Sequence, residues 1–197
     1  MEGRYARLVT EPVSRLDDGE GDLGHRIGTV ETWDAWLAVE RDRFERYGRP
    51  CTVVAIEVVG VDVLSRWFGD EIAREAVDAL LSAAVRRTRD SDLVALTAWG
   101  YIAVILPETD EVSAIHVINR IEATYDAWNE RWLVSQSTRL GTAAARLAMG
   151  WASAGPDRSF DEAVLAAAQR RDEAKRRAES VAAGVGGPAG IGAAPRD

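Results

Sequence analysis

The 197-residue chain is poor in the residue types that build covalent or metal-centred sites: it has one cysteine and two histidines. A single thiol, Cys51, excludes an internal disulfide framework and fits a reducing compartment. His25 and His116 have no cysteine or second histidine at metal-ligand spacing, so both read as solvated or structural and no metal site is expected. The chain also lacks any run of about 18 apolar residues that could cross a bilayer, and its start, MEGRYARLVTEPVSRLDDGEGDLG, has no unbroken apolar stretch of a secretory leader. Positive charge is in deficit. Against 32 acidic residues stand 24 lysines and arginines, a net charge of −8, which disfavours broad contact with nucleic-acid phosphates or anionic lipid. The expectation is a cytoplasmic protein without nucleic-acid binding or membrane insertion, in which any anionic ligand requires a local arginine cluster.

What is present suits one ordinary core, since 47% of the residues are hydrophobic and 28% charged. Residues 1–27 mix charge, Gly and Pro without periodicity, and residues 181–197 are rich in Gly, Ala and Pro. Neither segment can bury enough surface to offset its ordering entropy, so the first reads as a flexible arm, the second as a disordered tail, and 28–180 as the domain. Within it, Trp33, Trp36, Leu37, Glu40 and Phe44 at helical spacing predict a helix over 31–47, and TVVAIEVV predicts a strand over 52–59 that Cys51 opens. VDVLSRWFG (61–69) predicts a short helix, and DEIAREAVDALLSAAVRRTR (70–89) a long one with acidic first and basic last turns. Strands over 92–96 and 102–106 flank a hairpin at Ala98 to Tyr101. Thr109 or Asp110 then caps a helix carrying Ile115, Ile118, Ile121 and Tyr125, a polar stretch follows at VSQSTRLG, a last strand covers 145–152, and Ser159 caps a terminal helix over 159–180. The order α-β-α-α-β-β-α-β-α predicts an α/β (α+β) fold with a central mixed, mainly antiparallel sheet of about five strands flanked by helices.

Several landmarks at matching offsets resemble the GGDEF domain, the catalytic domain of diguanylate cyclases, which join two GTP molecules into cyclic di-GMP. They are Phe68-Gly69, SDLVAL before the hairpin, ILPETD after it, INRIE in the following helix and AMGWA in the late strand. The pattern lies without a gap from Glu57 to Pro107, with weaker similarity over roughly residues 30–178. The signature itself is degenerate. Where the family has two glycines, an acidic residue, a glutamate and a phenylalanine, this chain reads Ala98, Trp99, Gly100, Tyr101 and Ile102. The resemblance implies a two-magnesium site held by carboxylates, yet Tyr101 replaces one of them, Val59 another, and only Glu57 remains. Hard divalent cations need oxygen ligands, and phosphoryl transfer needs the cations, so the expectation is no enzyme and no cofactor. Ser65 and Arg74 stand at the guanine-reading positions, and Lys175 falls near the family's phosphate-binding lysine.

One element of the resemblance survives. Many family members carry a product-binding inhibitory site, Arg-x-x-Asp before the hairpin strand with an arginine from the next helix; here these are Arg89, Asp92 and Arg120, with Arg86 and Arg87 as auxiliary positive charge. A carboxylate can accept two hydrogen bonds from the guanine edge, and guanidinium groups can donate to its other edge, stack on the base and offset phosphate charge. The expected function is an inactive GGDEF-like module that binds cyclic di-GMP there, with a protein partner or a second copy of itself. Against this stands a bland reading of Asp92 as a cap for the helix-to-strand turn. Two rival functions also stay open: a nucleotide-independent scaffold using the hairpin and termini, and an enzyme of altered specificity with one metal on Glu57.

The remaining features read more plainly. Trp33, Trp36, Trp67 and Trp151 are expected as core or half-buried packing, Trp128 and Trp132 share a helix face and read as core, and Trp99 folds into the vacated cleft or protrudes as a partner anchor. Ser135, Ser137 and Thr138 have no neighbouring base, which leaves a nucleophilic triad unsupported. RRDEAKRR (170–177) reads as a solvated helix face.

Overall fold

In the computed structural model, residues 26–135 and 145–185 are described. They form five strands and five helices: β1 (Ile27–Gly28), α1 (Val30–Tyr47), β2 (Cys51–Val59), α2 (Val61–Phe68), α3 (Asp70–Arg87), β3 (Leu93–Ala98), β4 (Tyr101–Pro107), α4 (Glu111–Ser135), β5 (Arg146–Ala154) and α5 (Phe160–Val185). The sheet runs β1-β3-β4-β2-β5, with β1 parallel to β3 and every other pairing antiparallel. The expected mixed, mainly antiparallel sheet is therefore present. The strand at Ile27–Gly28 is an addition, because two residues are too few to carry a periodic signal. Helix α5 continues to Val185, past the 180 boundary read from composition. Most of the two segments read as arm and tail, together with Ser137, Thr138 and His25, lies outside the described residues.

Strand alternation sorts the core into two layers. Val54, Ile56 and Val58 of β2, with Ile102, Val104 and Leu106 of β4, pack toward α2, α3 and α4. Cys51, Val53, Ala103 and Ile105 face the other way, toward Trp33 of α1 and Phe160, Ala163 and Ala167 of α5. Gly150 of β5 permits the closest contact of the second layer: a Cβ there would lie 2.2 Å from the Ala167 carbonyl oxygen and 2.2 Å from the Arg171 amide nitrogen. The alanines of α5 and this glycine thus bring helix backbone almost onto the strand.

Local chemistry sets the element ends. Asp110, rather than Thr109, caps α4, its carboxylate accepting from the Ser113 amide at 2.7 Å. Ser159 and Glu162 form a capping box at α5, where the Ser159 amide donates to the Glu162 carboxylate at 2.8 Å and the Glu162 amide donates back to Ser159 Oγ at 3.3 Å. Gly100, with φ of 77°, supplies the left-handed residue that closes the β3–β4 hairpin. Trp67 corrects the sequence reading, since it is 73% exposed. Val61, Leu64 and Phe68 take the inward face of the short helix α2, and at about 100° per residue Trp67 falls on its flank. No helix among the described residues is long and apolar enough to cross a membrane.

Candidate functional site

The end of the sheet beside the hairpin holds the single retained carboxylate. Register places Glu57 on β2 opposite Tyr101 on β4 and Ala148 on β5. All three face α5, where the inward i,i+4 row that begins with Ala163 and Ala167 continues as Arg171 and Lys175. Glu57 is only 4% exposed. Lys175 Nζ donates to its Oε1 at 2.7 Å, and Arg171 Nε lies 3.8 Å from its Oε2. The Arg171 guanidinium also stacks over the Tyr101 ring, 4.8 Å from its centroid. The hydrogen bond to Glu57 holds the Lys175 ammonium above the usual lysine range, and burial, reinforced by Glu57, raises the Tyr101 phenol.

This donor set does not suit the pair of magnesium ions that the family resemblance implies. Among the described residues no three carboxylate, histidine or cysteine side chains gather to hold a metal. The one carboxylate present is already engaged by an ammonium and faced by a guanidinium, so an added dication meets two fixed positive charges within the same shell. RRDEAKRR is accordingly more than a solvated face, because two of its cations close the sheet end. Nearby, the Ser65 hydroxyl donates to Asp70, which fastens α2 to the start of α3. Arg74 is half-buried on α3. Trp99 packs back onto the core layer of α2 and α3, with its indole nitrogen buried. It therefore fills space behind the hairpin and is not the protruding anchor that the hairpin position also allowed.

The second cluster is an arginine corner where α3 passes into β3. Arg89, Asp92 and Arg120 come together there, with Arg87 and the additional Arg26. The Asp92 carboxylate accepts from the Arg89 backbone amide at 2.7 Å, and the Asp92 amide donates to the Arg89 carbonyl at 3.0 Å. Asp92 is 7% exposed. Desolvation raises its pKa, while the amide of Arg89 and the charges of Arg89, Arg26 and Arg120 pull the other way. Arg120 reaches from α4 to donate to the Arg87 carbonyl at 3.3 Å, and Arg87 Nε donates to Thr124 Oγ1 at 2.8 Å. Arg86 turns to Ser82 on its own helix, at 3.2 Å, and so stands apart from the corner. Arg89, Arg120, Arg86 and Arg87 are all exposed.

Arg26, placed in the expected arm, was not legible as a site residue. It donates to the carbonyls of Val85 at 3.0 Å and Arg89 at 2.7 Å and lies 3.6 Å from Asp90, so it satisfies carbonyls left open at the end of α3. The corner thus combines a largely enclosed carboxylate with a rim of arginines from three chain segments. It can accept from a donor edge and supply a planar cation to an anionic, aromatic ligand.

No protein-family model matches the chain and no curated protein shows significant sequence similarity to it. Solved structures do match in fold. The diguanylate cyclase SiaD from Pseudomonas aeruginosa, solved with its activator SiaC, is 17% identical with a TM-score of 0.63, over 89% of this chain and 64% of SiaD. The GGDEF domain of DgcB from Caulobacter crescentus, solved with c-di-GMP, is 16% identical with a TM-score of 0.67, over 83% of this chain and 93% of that domain. The FimX GGDEF domain from Pseudomonas aeruginosa is 15% identical with a TM-score of 0.57, over 77% of this chain and 90% of that domain. This chain therefore spans just under two thirds of SiaD and most of the isolated domains. Its five-stranded mixed sheet and flanking helices form a GGDEF-like domain.

Proposed function

We propose that this chain is a catalytically silent GGDEF-like module that binds cyclic di-GMP at the arginine corner. The observation that carries this reading is the convergence of Arg89, Asp92 and Arg120 on one surface, with Asp92 feeling the charge of both arginines. The ligand chemistry fits. One Asp92 oxygen is engaged by the Arg89 amide, which leaves the other to accept from the guanine edge, while the exposed arginines offset phosphate charge and stack on the base. A GGDEF neighbour, DgcB, was solved with c-di-GMP, which supports the ligand class. Silence in catalysis follows from the Glu57–Lys175 pair, since a carboxylate neutralised by an ammonium cannot also anchor the cations that phosphoryl transfer requires.

Titration calorimetry tests the binding. The folded chain is expected to take up cyclic di-GMP in the micromolar range, and Arg89→Ala or Arg120→Ala to weaken it about tenfold or more. No heat from a folded sample rejects the proposal. Light scattering on the same samples reads whether the ligand brings two copies together. Incubation with GTP and magnesium or manganese is expected to yield no product, and any turnover abolished by Glu57→Gln overturns the silent-site reading.

A second reading has its own observation. Trp67 is 73% exposed and Val63 44% exposed on α2, a combination suited to anchoring a protein partner, and SiaD was solved with an activator protein. Under that scaffold reading Trp67→Ala abolishes partner binding, whereas Arg89→Ala leaves it intact.

A further inference from the structure

The groove between α3 and α4 stands apart from both the sheet end and the arginine corner. It encloses about 540 Å³, within the range of small-molecule sites at roughly 300–1,000 Å³. Its floor includes Trp128, which belongs to an aromatic ladder along α4: the Trp128 and Trp132 rings lie 5.9 Å apart and only 18° from parallel, and Tyr125 lies 5.5 Å from Trp128 on the other side. Neighbours on both sides hold the indole in one orientation, so its exposed part is a preset flat platform. Both walls carry cations, with Arg74 and Arg86 on α3 and Arg131 on α4. Glu75 and Asp78 supply acceptors on the α3 wall, and Ser82 and Thr124 supply hydroxyls. Acidic and basic charges nearly balance in the lining, so an anion meets no local repulsion despite the chain's net −8.

We propose that this groove is a second ligand subsite, which takes a purine nucleotide with its base stacked on Trp128 and its phosphate held between Arg86 and Arg131. A flat platform selects a planar aromatic ligand, and two facing guanidinium groups select one bearing phosphate or carboxylate. The acceptors of Glu75 and Asp78 select an edge rich in N–H donors, which guanine presents more fully than other bases. The groove also communicates with the arginine corner, because Thr124 lines it while accepting from Arg87, whose carbonyl in turn accepts from Arg120. Occupancy of one site therefore bears on side chains that shape the other.

The probe is 5′-GMP, titrated into the full chain by tryptophan fluorescence and by calorimetry, with 5′-UMP as the pyrimidine comparison. Saturable 5′-GMP binding is expected, with weaker binding of 5′-UMP. Removing a stacking ring or a phosphate contact, by Trp128→Leu or Arg131→Ala, is expected to weaken binding by about tenfold. Trp128→Phe keeps a ring and much of the affinity, and so separates stacking from any loss of folding in Trp128→Leu. Arg89→Ala and Asp92→Ala are expected to leave 5′-GMP binding unchanged while removing cyclic di-GMP binding. Absence of saturable 5′-GMP binding overturns the subsite, as does 5′-GMP binding that falls with Arg89→Ala but ignores Trp128→Leu and Arg131→Ala. Either result leaves the arginine corner to be judged by cyclic di-GMP alone.

Discussion

Lys175→Met is the sharpest probe of the closed sheet end, because it keeps the length of the side chain and removes only the cation. Glu57 stays 96% enclosed, yet loses the ammonium that donates at 2.7 Å. Stranding one member of a fully buried ion pair costs about 3–5 kcal/mol. Lys175 is 32% exposed and Arg171 remains 3.8 Å from the other oxygen, so solvent and the second cation reduce the expected loss to about 2 kcal/mol. For a domain of this size that lowers Tm by about 4–8 °C. Adding Glu57→Gln removes the stranded charge, so the double variant is expected to melt above Lys175→Met alone. pH gives a second readout. Lys175 and Tyr101 both have raised pKa values, so each holds its proton more tightly folded than unfolded. Their contribution is complete below about pH 10, where the unfolded groups titrate, and drains away as pH climbs through the folded values. The parent therefore loses stability in this alkaline window, and Lys175→Met loses less. Calorimetric melts from pH 7 to 11 decide the matter: a Lys175→Met protein within about 1 °C of the parent at pH 7, or strict additivity in the double variant, refutes the pair as the closing element.

Three other outcomes follow from single contacts. Gly150→Ala forces a methyl group into the Ala167 carbonyl and Arg171 amide; a loss of about 1–3 kcal/mol in urea unfolding is expected, and a neutral result removes the close helix approach. At Asp92, burial favours the protonated acid, so its stabilising contribution is present in acid and shrinks as pH rises from about 4, where the unfolded carboxyl titrates. Asp92→Asn keeps an acceptor for the Arg89 amide and is expected to melt near the parent at pH 7, whereas Asp92→Ala loses about 1 kcal/mol; cyclic di-GMP binding disappears in both, and equal melting of the two variants eliminates the cap. Burial pushes the Cys51 thiol up to about 12, so a disulfide reagent at pH 8 is expected to label the folded chain only at the rate of unfolding, and immediate stoichiometric labelling contradicts the buried placement.

Much of this architecture was legible because strand and helix periods are distinct and long. The β-branched run after Cys51, the hairpin around Gly100 and the capped helix from Ser159 each carry their own local signal. What escaped the sequence depends on distant partners. Ile27–Gly28 is a strand only because β3 offers it an edge, and Arg26 has a role only because α3 ends beside it. Arg171 and Lys175 look like ordinary charges in an ion-pair run until the Ala163–Ala167 row is extended by i+4 steps. With that row in view the inward cations could have been found. Trp67 failed for the opposite reason, since an eight-residue helix has room for one inward face and Val61, Leu64 and Phe68 already occupy it.

Arg26 gives the arginine corner a mechanical character. Its guanidinium grips the Val85 and Arg89 carbonyls, while the two-residue β1 that follows has few ladder bonds of its own. Tension or torque entering along the polypeptide ahead of Arg26 is thus delivered to the very turn that orients Asp92, as a lever delivers force at its pivot.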